Sequence, residues 1–218
     1  MRAPAAAQSE ATTAARLVKV LGGAGAVAGL AIVTAFLATK PRIEANRARA
    51  VQAAIEEVLR QPDRYETLYV VNDRLAAQPP AGADASRLEQ VYLGYRGATA
   101  IGFAVTAAEA GFQDLIHLIF GYDPATGTII GMRVLDNRET PGLGDKIVRD
   151  SGFVAEFDSV VLPLRGVKAG QGQDSPGEVH MITGATISSR AVIRIINNRI
   201  QRLRPLLDAY RAARPEAR

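Results

Sequence analysis

The sequence predicts an α+β domain, an antiparallel sheet with flanking helices, behind a single N-terminal transmembrane helix. Three observations carry this. Residues 20–39 form a run of 20 without a charge. Short β-rich segments punctuated by turn residues fill the middle of the chain. From about Ser188 onward, apolar residues recur at helical spacing. With 218 residues there is room for one sizeable domain plus extras, and 48% apolar content excludes wholesale disorder. The chain has no cysteine. Disulfides, thiolate-held zinc and iron–sulfur ligation are therefore excluded, and a redox role needs an imported organic cofactor.

Taken in order, residues 1–16 are rich in Ala, Ser and Thr and read as a disordered tail. Residues 17–39 read as the membrane helix, because the uncharged run reaches roughly 30 Å, about one hydrocarbon thickness. The rival is a cleaved signal peptide, but the run is long for one and no small-x-small cleavage site precedes Lys40. Gly25 and Gly29 form a GxxxG, which suits either a helix–helix seat or a plain Ala/Gly-rich anchor. Arg2, Arg16 and Lys19 precede the span, while Lys40, Arg42, Arg47 and Arg49 follow it. Charge therefore does not orient it. Ile43, Val51, Ala54, Ile55 and Val58 predict a helix over 42–59 within a linking segment 40–62, stopped by Gln61-Pro62-Asp63.

The domain proper is expected over 63–204. Extended segments 67–71 and 91–95 flank a loop built on Pro79-Pro80. Segments 99–106 and 115–122 follow, and the turn residues Asp123-Pro124-Ala125-Thr126-Gly127 join 115–122 to 128–135 as a hairpin. Residues 157–164 read as a further strand. Val192, Ile195, Ile196, Ile200, Leu203 and Leu207 mark an amphipathic helix that Pro205 should end or bend, leaving 205–218 as a basic tail.

Net charge is +4, with Arg194, Arg199, Arg202, Arg204, Arg211, Arg214 and Arg218 clustered late in the chain. Such a stretch could face anionic lipid or an acidic partner, or be a solvated helix face. It carries neither a nucleic-acid motif nor interleaved aromatics, so nucleic acid is discounted. His117 and His180 stand far apart and make no recognisable metal site. No Walker loop, GxGxxG or Ser/His/Asp arrangement occurs, so no nicotinamide or hydrolytic site is expected.

Two stretches carry chemistry. Thr183-Gly184-Ala185-Thr186, followed by Ile187-Ser188-Ser189, lies about two residues before the expected helix. A helix start offers unpaired N–H groups and partial positive charge, a seat for phosphate. Small Gly184 and Ala185 permit close approach, and Ser188 and Ser189 add donors. The plainer reading is that these hydroxyls are N-caps. The second stretch is Glu139-Thr140-Pro141-Gly142-Leu143-Gly144-Asp145-Lys146. Its Pro and two Gly suit a tight loop that could lay backbone N–H groups against a ring or phosphate, or simply a surface turn opening a short helix.

Together, and in this order, the two stretches resemble the FMN-binding domain family in which a threonine carries flavin mononucleotide through a phosphoester bond. Within it they look like the G subunit of the Rnf electron-transport complex, a relative of the C subunit of the sodium-pumping NADH:quinone reductase. Gly111-Phe112-Gln113-Asp114-Leu115-Ile116, Gly121-Tyr122-Asp123 and the run from Gly127 to Gly131 echo the family's sheet core. The family's attachment pattern is Asp-x-x-Ser/Thr-Gly-Ala-Thr. Here His180 stands where that acid, part of the flavin transferase's target, is usual.

The resemblance implies covalent FMN on Thr186. It implies cofactor contacts from Glu139, Thr140, Gly142, Leu143, Gly144, Lys146, Thr183, Gly184, Ala185 and Ser188. It further implies a single-pass inner-membrane protein with its C-terminal domain on the periplasmic side. Such a protein would pass electrons within a multi-subunit complex that couples ferredoxin/NAD electron transfer to ion translocation, without a catalytic site of its own. Its partners would be the other Rnf-type subunits, the maturing flavin transferase and membrane lipid. Two alternatives stay open: a free-standing anchored flavoprotein serving another respiratory chain, and a non-redox assembly module with a decayed flavin site.

Overall fold

A computed structural model describes residues 5–168, 170–172 and 175–214, with side chains described from residue 16 onward. The chain divides into two compact units, Met1–Arg49 and Ala50–Arg218.

The first unit is helical. Helix α1 (Ala5–Val58) begins within the stretch expected to be a disordered tail, and it contains Pro41. It is long and apolar enough to cross a membrane. Leu17, Leu21, Val27, Leu30, Ile32, Phe36 and Leu37 are all exposed, and an apolar surface with no polar face suits lipid rather than water. The hydroxyls of Thr34 and Thr39 donate to the carbonyls of Leu30 and Ala35, both at 2.8 Å. Neither leaves an unsatisfied polar group in the span.

The second unit opens with the last turns of α1 and continues as a meander. Strands β1 (Arg64–Val71), β2 (Arg74–Ala76), β3 (Gln90–Arg96), β4 (Thr99–Ala110), β5 (Leu115–Asp123), β6 (Thr128–Asp136) and β7 (Val160–Val161) form one sheet in the order β2-β1-β3-β4-β5-β6-β7. Every pairing in it is antiparallel. The turns follow from local chemistry. Asn72 and Asp73 adopt positive φ between β1 and β2. Asp123 accepts from Ala125 N and Thr126 Oγ1 at 2.8 and 2.9 Å, closing the β5–β6 hairpin as expected. Two short helices, α2 (Lys146–Arg149) and α3 (Ser151–Ala155), precede β7. Strands β8 (Arg165–Lys168) and β9 (Glu178–Met181) then pair in parallel, and helix α4 (Thr186–Ala212) closes the unit.

Both faces of the sheet are covered. Val192, Ile195, Ile196, Ile200, Leu203 and Leu207 of α4 are buried in the core on one face, as their spacing predicts. Ala54, Ile55, Val58 and Leu59 pack on the other with Ala104 and Ile119. Ala104, Gly121 and Gly131 lie side by side across β4, β5 and β6, a lane of small residues on which the end of α1 rests. A Cβ at Gly121 would meet the Val58 carbonyl oxygen and come within 2.7 Å of Ile130 Cγ1. Gly121→Val should therefore cost about 3 kcal/mol through overpacking, read as a lower thermal unfolding midpoint. An unchanged midpoint would show that the helix end is not seated there.

Two expectations are corrected. Helix α4 runs through Pro205 to Ala212 and buries Leu207, because packing on the sheet outweighs the single hydrogen bond a proline removes. Only Val160–Val161 of the strand expected over 157–164 pairs. Phe157 instead folds back on Phe153, rings 5.3 Å apart and edge-on, and Ser159 takes φ 102°. Most of the late arginines form ion pairs. Arg194 pairs with Glu109, Arg199 and Arg202 with Glu89, Arg211 with Asp123, Arg214 with Glu66 and Arg204 with Asp208. Except for Asp208 of α4 itself, the acids come from the sheet strands and their loops. Arg218 lies outside the described residues.

Candidate functional site

Three segments meet at one pole of the sheet: the loop between β4 and β5, the loop after β6, and the start of α4. Glu139 stands at their crossing, 5% exposed. Its Oε1 accepts from the backbone N–H groups of Phe112 and Gln113 at 3.0 and 3.1 Å. Its Oε2 accepts from Ser188 Oγ at 2.5 Å. Thr140 Oγ1 adds a bond to Gln113 Oε1 at 3.0 Å. A Cβ at Gly144 would lie 2.6 Å from Glu139 Oε2 and 2.7 Å from Ser188 Oγ, so the second glycine of the motif is required by this carboxylate. Glu139 and Ser188 thus brace the pole from within.

Burial by itself pushes the Glu139 carboxyl up. Hydrogen bonds from Ser188 and from the backbone of Gln113, Phe112 and Asp114 outweigh that and hold it below the ordinary glutamate value. A lowered folded pKa means the unfolded chain takes the proton more readily. The stabilisation is therefore complete above the unfolded value and is lost as pH falls through the folded one. Glu139→Gln should flatten the acid limb of the stability–pH curve below about pH 4.5, measured by chemical unfolding at stepped pH. An unaltered limb would remove Glu139 from this role.

The loop after β6 turns at Thr140–Leu143, where Leu143 N donates to Thr140 O at 3.1 Å. Pro141 precedes Gly142, whose φ is 77°, the backbone of a type II turn. Leu143 projects to the surface, and buried Ile147 anchors α2. The threonine stretch turns in the same way. Ala185 N donates to Ile182 O at 3.0 Å, and Gly184 has φ 83°. Ser189 Oγ secures the turn from inside, donating to Ala185 O at 2.9 Å and accepting from Ile182 N at 3.2 Å.

Helix α4 begins at Thr186 itself, two residues earlier than expected, with buried Ala185 at the cap position and no side-chain cap. The N-cap reading of these hydroxyls is not realised. The first-turn N–H groups of α4 accordingly have no capping oxygen from Ala185. Thr183, Gly184 and Ile187 are exposed and Thr186 half-buried. Lys146 Nζ reaches across from the other motif, 3.8 Å from where a Gly184 Cβ would stand. The two motifs therefore form one site, a helix N-terminus and an ammonium on the same turn.

These residues fit an anionic phosphate. The helix start and Lys146 supply positive potential, and Gly184 leaves room beside them. Asp145 Oδ1 is buried without a hydrogen-bond partner, while Oδ2 holds Arg149 at 3.2 Å.

Sequence reasoning assigned no site role to Phe112, Gln113 or Asp145. Nothing in the order of residues ties the β4–β5 loop to Glu139; the bond is tertiary. His180 lies in β9, opposite Val167, with Nδ1 3.0 Å from Glu156 Oε1. It is a partnered residue. His117 lies half-buried in β5, away from His180's strand. A groove of about 430 Å³ between Arg74, Leu75, Leu206 and Tyr210 lies near the other end of α4.

Residues 111–201 match the family model described as FMN-binding domain. That span includes all three converging segments. The G subunit of the ion-translocating oxidoreductase complex of Vibrio vulnificus is 29% identical over 81% of this chain and 82% of its own length. Its counterpart from Cronobacter sakazakii is 31% identical over 72% of this chain and 74% of its own. Among solved structures, NqrC of Shewanella oneidensis superposes with TM-score 0.62 at 17% identity, covering 76% of this chain and 99% of that one. At that identity the likeness bears on fold, and it accords with an α+β domain of antiparallel sheet and flanking helices. On the relatives' identity and coverage, the chain belongs to the Rnf family of G subunits of ion-translocating oxidoreductase complexes.

Proposed function

We propose that this chain is a covalent-FMN electron-transfer component of a membrane-bound Rnf-type complex, with the flavin phosphate esterified to Thr186 Oγ1. The complex would couple electron transfer between ferredoxin and NAD to ion translocation. Residues 17–39 would cross the inner membrane, 40–62 would link, and the domain from 63 onward would stand on the periplasmic side. The observation that carries the reading is the first turn of α4, uncapped, starting at Thr186 and faced by Lys146.

Each group has a defined task. The α4 N–H groups and Lys146 hold the phosphate and balance its charge. Gly184 at φ 83° keeps the approach open. Thr140, Gly142, Leu143, Thr183 and Ala185 shape the walls, while Glu139, Gly144 and Ser188 set the spacing between the two motifs. When bound, the flavin supplies the electron chemistry, and the protein positions it and tunes its potential. Attachment by a separate transferase would form the Thr186 Oγ1–phosphorus bond and break the pyrophosphate of FAD, with AMP as leaving group and the hydroxyl proton released to solvent. A covalent link retains the cofactor where none is resupplied.

Intact mass and in-gel flavin fluorescence after co-expression with a flavin transferase test this. The expected result is a fluorescent band heavier by FMN less one water, with the gain mapped to the peptide holding Thr186. An unmodified chain would return the site to the assembly-module reading.

A further inference from the structure

Helix α4 carries six arginines, and five of them have an acid. Arg194 pairs with Glu109, Arg199 and Arg202 with Glu89, Arg204 with Asp208 and Arg211 with Asp123. The sixth, Arg190, is exposed and has no ion pair among the described residues. It stands four residues after Thr186, within the first two turns of the helix. Lys146, whose ammonium lies beside Gly184, is likewise without an ion pair among the described residues.

The acids of the converging segments are committed elsewhere. Glu109 holds Arg194 and Asn198. Asp114 pairs with Arg138 and Asp145 with Arg149. Glu139 is taken by Ser188 and by the backbone of Phe112 and Gln113. Asp136, exposed, lies on β6 opposite His117. The start of α4 therefore keeps two unmatched cations, where the rest of the helix is matched charge for charge. The surplus positive potential is local to Thr186.

Helix geometry aims one of these cations. Residues four apart share a helix face, with Cβ atoms about 5–6 Å apart. A helical side chain leans toward the N-terminus and covers the turn before its own Cα. The surface that Arg190 covers is thus the one where the Thr186 hydroxyl opens. A guanidinium is a planar fork of donors that fits two oxygens of one phosphate, whereas an ammonium is a point charge. A phosphodiester has two unesterified oxygens and one negative charge, which suits a single fork.

We propose that Arg190 is a phosphate-binding residue of the attachment site. Its guanidinium folds back along α4 and holds both free oxygens of the phosphate esterified to Thr186 Oγ1. Lys146 and the first-turn N–H groups fix the phosphate in place; the Arg190 fork also fixes its direction. This rests on the covalent-FMN reading above.

The test compares the full-length chain loaded by a flavin transferase with the same chain prepared without one. Both are treated with phenylglyoxal, an arginine reagent, and mapped by peptide mass. Arg74 serves as internal reference. It is exposed in β2, has no ion pair among the described residues, and lines the groove near the other end of α4. Arg190 should be labelled about fivefold more slowly in the loaded chain, the scale of an exposed ion pair. Arg74 should be labelled equally in both. In phosphorus NMR of the loaded chain, the phosphoester resonance should move on Arg190→Gln, move less on Arg190→Lys, and stay in place on Arg74→Gln.

Equal labelling of Arg190 in the two chains would overturn the proposal. So would protection without a phosphorus shift, which would mean that flavin bulk merely covers the side chain. Slow loading of Arg190→Gln, with Arg190 still labelled in the loaded parent, would place Arg190 against the transferase and overturn it as well. A chain that takes no flavin would overturn the covalent-FMN reading and this proposal together, whereas a loaded chain with an unprotected Arg190 would overturn this proposal alone.

Discussion

Thr186→Ala should leave the chain non-fluorescent and unchanged in mass after co-expression with a flavin transferase, while Thr183→Ala should be modified nearly as well as the parent. Both threonines belong to the same tetrapeptide, so only their geometry separates them. Thr183 precedes the Gly184 turn, whereas Thr186 is the first residue of α4. A phosphate on Thr186 sits against the first-turn N–H groups and within the positive end of the helix dipole; one on Thr183 would not. Thr186→Ser keeps the hydroxyl and should retain modification. Flavin retained by Thr186→Ala, or lost equally from Thr183→Ala, would sink the assignment of Thr186. Because Thr186 is only half-buried and makes no cap, the loss should come with little change in thermal stability. That separates a failure of chemistry from a failure of folding.

Glu139→Ala should destabilise the domain by about 3 kcal/mol, since it strands three donors that now share one buried carboxylate. For a unit of this size that lowers the unfolding midpoint by about 6–12 °C, measured by circular dichroism on the detergent-solubilised chain. The effect should exceed that of Glu139→Gln, which keeps an acceptor oxygen. Modification of Thr186 should also fall, because Ser188, two residues further along α4, loses its hold on the opposite loop. A midpoint within about 1 kcal/mol of the parent, the scale of an ordinary surface change, would mean that the three segments are held together by something else.

Much of the fold was legible because it is periodic. The apolar spacing of α4 and the turn at Asp123–Thr128 report local preferences that the tertiary structure keeps. The limits of α4 were not legible. Pro205 argues for a stop, and only the sheet beneath Leu203 and Leu207 keeps the helix going. The strand expected over 157–164 failed for a related reason. Val160, Val161 and Leu162 suit a strand, but Phe157 packs on Phe153, and Pro163 cannot donate to a ladder.

For the site, the order of residues determined which chemistry is available. It supplied a hydroxyl beside small residues at a helix start, a Pro/Gly turn with a lysine, no thiol, and an uncharged run long enough for a membrane. Those depend on side-chain identity and local backbone freedom, which a sequence states directly. Only the tertiary structure decided that Lys146 faces Gly184, that Glu139 and Ser188 are spent on each other, and that Phe112 belongs to the same pole. These are contacts between segments distant along the chain, set by how the sheet brings its strand ends together, and no local preference encodes them.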